Sequence, residues 1–334
     1  KPNHIHFSPA MKVSILDGFF WSIMVGIGET YLPAFVMYQH MPEYVTGLFS
    51  TVPVLLGSSL QLLTPQILHR IRSIKTWVIA LVILQAISFL PFIYFNFYPT
   101  QWHFLIFASA ALYWFAGFAA NPAWNLWMTE IVNKKDAAQF FSIRQSLVQL
   151  GILLGLVGGG FLLESRLLKE EVFWILFLIA FISRSLSAIS LLAQKKKMSH
   201  PGKYHFRDLL NIWKNTHYKK FLKFIFLFFV MISISSPFVT PYFLAKLRMN
   251  YELYMYAIGS LLVAKVLTLP LASRLIERFG EKNIFLWGAF GMSPLPALWA
   301  ISDHYYFILL LQAVSGVFWG LFEVSLSVIF FNQI

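Results

Sequence analysis

Ten apolar stretches, each long enough to cross a lipid bilayer, alternate with polar loops along this chain. They run roughly over residues 12–38, 44–67, 76–97, 102–128, 138–163, 171–194, 221–245, 252–273, 283–301 and 306–331. A membrane-spanning helix needs about 20 mostly apolar residues. The pattern therefore predicts an all-α, polytopic membrane protein with about ten transmembrane helices arranged as a two-lobed bundle.

One long polar interval separates six of these stretches from the last four. Residues 194–223 hold nine of the 26 Lys and Arg residues of the chain. We therefore expect an N-terminal six-helix lobe over residues 1–194, a basic linker over 195–220 and a four-helix C-terminal lobe over 221–334. Within the linker, Phe206–Phe221 carries apolar residues at helical spacing among basic ones, which predicts an amphipathic helix lying on an anionic inner leaflet.

The placement of the positive charges argues against a nucleic-acid partner, although the net charge is +12. Twenty Lys and Arg residues fall on one side of the predicted membrane and four on the other. Loops that stay in the cytoplasm carry such an excess of positive residues. We therefore expect a protein of the bacterial inner membrane whose N-terminus and central linker are cytoplasmic.

The sequence lacks the residues and motifs on which several kinds of catalysis and metal binding depend. There is no Cys among the 334 residues, and every His lies in a loop or near a segment end. Neither a His-Glu-x-x-His zinc motif nor a Gly-x4-Gly-Lys-Ser/Thr nucleotide loop occurs. Because Asp17 is the only Asp inside an apolar stretch, a paired-aspartate protease is also disfavoured. We expect no enzyme, no metal site and no cofactor. An intramembrane enzyme, and a membrane sensor that binds a ligand without moving it, stay distant alternatives.

A weak internal repeat relates the two halves of the chain. With an offset of 208 residues, Pro33–Phe35 falls on Pro241–Phe243, and Arg70 falls on Arg278. The four apolar stretches after the linker would then copy the first four. On this hypothesis the chain is a fragment, and two further helices would follow Ile334.

Three stretches resemble motifs of the major facilitator superfamily of secondary transporters, and the resemblance extends over essentially the whole chain. Leu271–Lys282 is similar to the family's signature between its eighth and ninth helices, an acid–Arg–x–Gly–x–basic turn. The corresponding first-half loop, His69–Lys75, has His69 where the family has an acid and Arg72 where it has glycine. Gly151–Leu162 is similar to the fifth-helix glycine motif of many family exporters, with leucine in place of the usual proline.

The resemblance implies a monomeric transporter that works by alternating access, with two lobes rocking about a central site. It implies a small-molecule substrate, a proton as the coupling ion and the lipid bilayer as the remaining partner. The glycine motif favours proton-coupled export of an amphipathic or drug-like compound. Proton-coupled uptake of a small nutrient is the alternative, and the sequence does not decide between the two.

Glu29 is the leading candidate for substrate or proton coupling. It lies past the middle of the first apolar stretch, where a buried charge costs about 2.5–3.5 kcal/mol or more. Gly18, Ser22, Gly26, Glu29 and Pro33 recur at helical spacing and form one small, polar face. Such a face suits a water-filled cavity or a close helix contact. The alternative is an acid paired with a buried Arg or Lys for packing alone.

Two further charged residues inside apolar stretches are candidates for the same role. Lys265 can bind an anionic substrate or balance the charge of Glu29 or Glu323. Glu323 lies nearer the cytoplasmic end of its stretch, where a gate or a structural pair is as plausible as a binding role.

The remaining charged candidates are interpreted as structural or gating groups. Asp17 lies within two turns of a cytoplasmic helix end, and Arg184 has a side chain long enough to reach part of the way to the cytoplasm. Glu130 and Arg144 are expected to form ion pairs between the fourth and fifth stretches. The full set of candidates for a cytoplasmic gate or structural ion pairs is Asp17, Glu130, Arg144, Arg184, Glu277 and Arg278.

Polar and aromatic residues at helical spacing inside the stretches supply candidates for a cavity wall. Hydroxyl groups and a proline in the seventh stretch indicate a kink near a cavity, with packing as the equal alternative. The cavity-lining candidates are Ser22, Tyr31, Asn121, Trp124, Ser236, Thr240, Gln312 and Trp319.

Overall fold

The computed structural model describes the chain in segments separated by gaps. These segments are residues 7–39, 41, 43–68, 71, 73–98, 103–164, 172–195, 216–235, 239, 242–249, 251–299 and 301–333. Most of the amphipathic helix expected over Phe206–Phe221 lies outside the described residues. The candidate cavity residues Ser236 and Thr240 also lie outside them.

Every regular element of the described residues is helical, and the predicted all-α class is confirmed. The α-helices are α1 Pro9–Ile27, α2 Leu32–Tyr38, α3 Glu43–Gln61, α4 Thr64–Leu68, α5 Ile74–Ile87, α6 Leu90–Phe97, α7 His103–Ile131, α8 Ala137–Glu164, α9 Val172–Ala193, α10 Thr216–Ser235, α11 Tyr251–Phe279, α12 Glu281–Met292, α13 Leu295–Leu298 and α14 Tyr305–Gln333. A 3-10 turn, Glu29–Tyr31, joins α1 to α2, and a π-helical turn, Tyr242–Lys246, follows α10.

Seven helical stretches of the described residues are long and apolar enough to cross a membrane. They are Pro9–Tyr38, Ile74–Phe97, Phe104–Ile131, Ala137–Leu163, Phe173–Ala193, Leu253–Phe279 and Tyr305–Asn332. Each coincides with one of the ten predicted stretches. The other three predicted stretches correspond to α3 with α4, to α10 with the π-helical turn, and to α12 with α13.

Prolines explain why three of the predicted stretches are split into two helices. Pro33, Pro91 and Pro296 each lie in the first two residues of a helix, at the starts of α2, α6 and α13. A proline lacks the backbone N–H and its ring collides with the carbonyl group four residues earlier, but it is accepted in the first helical turn. At each of these three prolines the apolar pattern continues while one helix ends and the next begins.

The chain divides into two compact units, Lys1–Pro201 with Ser327–Ile334, and Gly202–Leu326. In the first unit, α1 packs against α8 and α9, α3 packs against α7, and α5 packs against α7 and α9. Glycines permit a close crossing of α1 and α8, because a Cβ atom on Gly155 of α8 would lie 2.8 Å from the Ile23 carbonyl oxygen of α1. The backbones of α1 and α8 are therefore in near contact at this point.

One end of the first unit is held by side chains that bind helix termini. Lys75, at the start of α5, donates from Nζ to the carbonyl oxygens of Leu192 at 2.8 Å and Gln194 at 2.6 Å. Gln194 in turn donates from Nε2 to the Ala10 carbonyl oxygen of α1 at 2.9 Å. The last carbonyl groups of a helix have no partner within the helix, so these contacts fix the end of α9 to the starts of α1 and α5.

In the second unit, Gly280 makes the sharp connection between α11 and α12. Its φ angle of +81° lies in the left-handed region, which glycine adopts without steric cost. This glycine is part of the signature-like stretch Leu271–Lys282. Helix α12 also approaches α14 closely, since a Cβ atom on Gly288 would lie 2.8 Å from the Phe322 backbone nitrogen.

Candidate functional site

The interruption of the first transmembrane segment determines where Glu29 lies. Regular α-helix ends at Ile27, and Glu29 begins the 3-10 turn. Pro33 is four residues after Glu29, so a continuous α-helix would bring the proline ring against the Glu29 carbonyl group. Gly28 is also required, because a Cβ atom there would lie 2.6 Å from the Ala180 Cβ and 2.8 Å from the Phe89 Cε1. The sequence thus breaks the helix at Glu29.

The carboxylate of Glu29 accepts a hydrogen bond from a buried tyrosine. The Tyr113 hydroxyl of α7 donates to Oε2 at 2.5 Å, and Tyr113 is fully buried. Within the described residues, Lys and Arg form salt bridges with Asp17 and Glu323, and none with Glu29. The ion pair that was the structural alternative for Glu29 is therefore not seen in this part of the chain.

A second set of polar groups, from α1, α8 and α9, surrounds Asp17. Arg144 Nη2 lies 3.9 Å from Asp17 Oδ2. The Ser187 hydroxyl donates to Asp17 Oδ1 at 2.6 Å, and Arg184 Nη1 donates to that hydroxyl oxygen at 2.9 Å. Asp17 and Arg184 are only 4% and 6% exposed. The guanidinium group of Arg184 is held inside the first unit by Ser187, which agrees with the structural interpretation of this residue, and it is not directed towards the cytoplasm.

The position of Arg144 depends on one glycine and one tryptophan. A Cβ atom on Gly18 would lie 3.0 Å from the Arg144 Cζ, so the bare backbone of α1 makes room for the guanidinium group. The opposite face of the guanidinium lies over the Trp124 ring, with Cζ 4.2 Å from the ring centroid. Arg144 Nε donates to the Ser14 carbonyl oxygen at 3.3 Å. Arg144 thus lies beside Asp17, while Glu130, its expected neighbour in an ion pair, is exposed.

Both groups of residues line one cavity of about 230 Å³ in the first unit. Its walls come from α1, the 3-10 turn, α5, α7, α8 and α9. The polar and charged lining residues are Asp17, Glu29, Gln85, Asn121, Arg144 and Arg184, and the aromatic ones are Trp21, Trp114, Phe118 and Trp124. The cavity therefore combines four ionisable side chains with an aromatic wall.

The second unit holds a separate ion pair. Lys265 Nζ of α11 lies 2.9 Å from Glu323 Oε1 of α14, and it is also 6.0 Å from the Trp319 ring centroid. Gly316 permits the helices to approach, since a Cβ atom there would lie 2.9 Å from the Ala264 Cβ. Two of the predicted coupling residues are thus brought together, and Glu29 lies in the other unit.

The other predicted residues lie in several different surroundings. Asn121 and Trp124 line the cavity of the first unit. Ser22 donates to the Phe19 carbonyl oxygen in α1, and Tyr31 donates to the Leu156 carbonyl oxygen of α8 at 2.5 Å. Gln312 is buried in α14. Glu277 and Arg278 are exposed at the end of α11.

Sequence reasoning missed three residues of this site. Tyr113 binds Glu29, Ser187 joins Arg184 to Asp17, and Gln85 lines the cavity with its Oε1 buried. A polar side chain in the middle of an apolar stretch was the available signal for each. Helical periodicity does not tell which neighbouring helix such a side chain faces, so the signal does not identify its partner.

Removing the lysine of the second ion pair should destabilise the protein. Lys265→Met takes the ammonium group away from the Glu323 carboxylate in an apolar setting. Breaking a fully buried pair costs about 3–5 kcal/mol; the Glu323 side chain is 27% exposed, so we expect about 1–3 kcal/mol, in keeping with a partly solvated pair. Thermal unfolding of the purified protein in detergent measures the change.

The double variant Lys265→Met/Glu323→Gln should recover much of the lost stability, because it removes both charges. Lys282→Met is the matched control, since Lys282 is exposed on α12. If Lys265→Met unfolds at the wild-type temperature, the pair is not structural, and the role of Lys265 in binding an anion becomes the better hypothesis.

Comparisons with known proteins agree with this architecture. The family model described as Major Facilitator Superfamily matches residues 75–332. Among solved structures, FucP in the outward conformation aligns with a TM-score of 0.72 at 13% identity, over 98% of this chain and 90% of FucP. The proton:xylose symporter XylE aligns with a TM-score of 0.72 at 14% identity, over 97% and 82%.

A third solved structure is similar to the same extent. The human organic anion transporter MFSD10 aligns with a TM-score of 0.71 at 11% identity, over 96% of this chain and 86% of MFSD10. Identities this low establish a shared fold and carry no information on the substrate. A sequence search of curated proteins gives no match.

Proposed function

The chain belongs to the Major Facilitator Superfamily, and from this premise we propose that it exports a small amphipathic or drug-like compound in exchange for protons. It is a multi-pass membrane protein and a secondary transporter. We further propose that it acts as a monomer in the bacterial inner membrane, with its N-terminus and central linker in the cytoplasm.

The proposal of proton coupling rests on the position of Glu29. Its carboxyl group lies on a helix break, lines a cavity and accepts a hydrogen bond from the neutral Tyr113 hydroxyl. An ionisable group at membrane depth is costly and marks a substrate or ion pathway by default. A carboxyl group that borders a cavity and has a neutral partner can take up and release a proton without breaking a salt bridge.

The direction of transport rests on different features. The similarity of Gly151–Leu162 to the glycine motif of family exporters supports export, and so does the aromatic wall formed by Trp21, Trp114 and Trp124. Proton-coupled uptake is the second candidate. It is supported by the Asp17–Arg144 pair in the same cavity, since paired charges suit a polar nutrient.

Retention of fluorescent dyes in cells tests the direction. A bacterium lacking its major exporters would express the full chain and be loaded with amphipathic dyes that are cationic, neutral or anionic. For at least one dye we expect lower retention than in vector-only cells, and equal retention after a protonophore removes the proton gradient. Retention above the vector level would assign inward transport and overturn the export proposal.

A further inference from the structure

Two guanidinium groups lie around the single carboxylate of Asp17 in the first unit. Arg144 lies 3.9 Å from Asp17, and Arg184 reaches the same carboxylate through the Ser187 hydroxyl. Two guanidinium groups, which stay protonated in proteins, thus share one carboxylate. The group carries one excess positive charge beside the cavity.

Arg184 also has an unused donor. The side chain is 6% exposed, and its Nε has no hydrogen-bond partner among the described residues. A buried donor left without a partner costs about 1–3 kcal/mol or more when it is charged. Because Arg184 lines the cavity, an acceptor bound in the cavity can satisfy this donor.

The other acid of the cavity, Glu29, does not pair with these two guanidinium groups. Glu29 receives its hydrogen bond from Tyr113 and forms no salt bridge with Arg144 or Arg184 in the described residues. The remaining polar wall is neutral and comes from Gln85 and Asn121. The donors of Arg184 and Arg144 therefore favour an anionic ligand at their part of the cavity, where two guanidinium groups lie beside the single carboxylate of Asp17.

We propose that this cavity binds a substrate with an anionic head group and a planar apolar body. The head group, a carboxylate or a group of similar charge, accepts hydrogen bonds from Arg184 and Arg144. The apolar body lies against the tryptophans Trp21, Trp114 and Trp124. A cavity of about 230 Å³ is large enough for a fused-ring aromatic acid. The inference rests on the proposed function in taking this cavity as the transport site.

Three probes of similar shape distinguish the contribution of the charge to binding from that of the apolar body. They are naphthoate, its uncharged amide naphthamide, and the cation naphthylmethylammonium. Calorimetric titration of the purified full chain in detergent should give the tightest binding for naphthoate. A charged hydrogen bond contributes about 1.5–3 kcal/mol, which corresponds to a preference of about ten- to hundredfold over the amide.

Two variants of Arg184 test whether the preference for naphthoate over naphthamide comes from this side chain. Arg184→Gln should weaken naphthoate binding by about tenfold or more and leave naphthamide binding within about twofold of wild type. Arg184→Lys should retain a preference for naphthoate, because it keeps the charge. Arg274→Gln is the matched control for general attraction by a basic protein, since Arg274 is exposed on α11.

Three outcomes would overturn the inference. These are equal affinity for all three probes, tighter binding of the cation, or absence of naphthoate binding at millimolar concentration. A loss of affinity in Arg274→Gln as large as that in Arg184→Gln would also reject it, because the attraction would not come from the cavity. These titrations use no proton gradient, so their failure is distinct from a failure of the dye-retention experiment, which tests the proposed function.

Discussion

Glu29→Gln is expected to fold normally and to lose all transport that is driven by a proton gradient. The amide keeps the size and the hydrogen-bond acceptor of the carboxyl group, so the contact with Tyr113 can be retained. It cannot take up or release a proton, and coupling therefore stops. In liposomes with an imposed pH gradient, flux of a dye that the wild type transports should fall to the level of protein-free liposomes.

Exchange of labelled for unlabelled dye without a pH gradient distinguishes a loss of proton coupling from a loss of dye binding. This exchange needs no net proton movement, so Glu29→Gln should still perform it. Glu130→Gln, at an exposed acid near the end of α7, should keep gradient-driven flux. If Glu29→Gln transports like the wild type down a pH gradient, then Glu29 does not carry the coupling proton.

Gly155→Ala should lower the stability of the protein strongly, although it adds a single methyl group. The added Cβ would lie 2.8 Å from both the Ile23 carbonyl oxygen and the Ile27 backbone nitrogen of α1. These are backbone atoms, so the helices must separate to accept the methyl group. Overpacking of this kind costs about 1–3 kcal/mol, and occasionally more; here the separation also disturbs the α1 helix that carries Asp17. Thermal unfolding in detergent and dye transport measure the two effects.

Gly158→Ala is the matched control on the same helix. A Cβ atom on Gly158 would meet nothing within 4 Å, and alanine favours helix over glycine by about 1 kcal/mol. We therefore expect this variant to be as stable as the wild type or slightly more stable. Equal unfolding temperatures for Gly155→Ala and Gly158→Ala would contradict the close crossing of α1 and α8.

The helical class and the positions of the long apolar stretches could be predicted from the sequence because both depend on composition over about 20 residues. The breaks at prolines, which divide several stretches into two helices, were not predicted. The small, polar face of the first stretch was also visible in the sequence. The structure divides that face between two surroundings: Gly18 and Gly26 face α8, at Arg144 and Ile152, and Glu29 lines the cavity. Periodicity identifies residues that share a face, but the helices that cover the face are chosen by packing over long sequence separations.

Arg184 and Arg144 show why the charged cluster was not predicted. A long side chain near a basic loop is usually directed towards water, and that rule allows Arg184 to reach part of the way to the cytoplasm. In the structure its guanidinium group stays inside the first unit, because Ser187, one helical turn further along α9, offers a hydroxyl group that also binds Asp17. The contact between Arg144 and Asp17 joins residues 127 positions apart in the sequence, and a single sequence contains no signal for such a pair.

The two guanidinium groups that share one carboxylate favour an anionic substrate, and the charge of the substrate determines how much charge each transport cycle moves across the membrane. For a singly charged anion, export in exchange for one incoming proton moves two positive charges inward, while uptake together with one proton moves none. An inside-negative membrane potential contributes about 2.3 kcal/mol per charge for each 100 mV. It would therefore drive such an exporter by about 4.6 kcal/mol per 100 mV and leave the symporter unaffected. A current recorded across a planar bilayer at equal pH on both sides would then reveal the direction of transport.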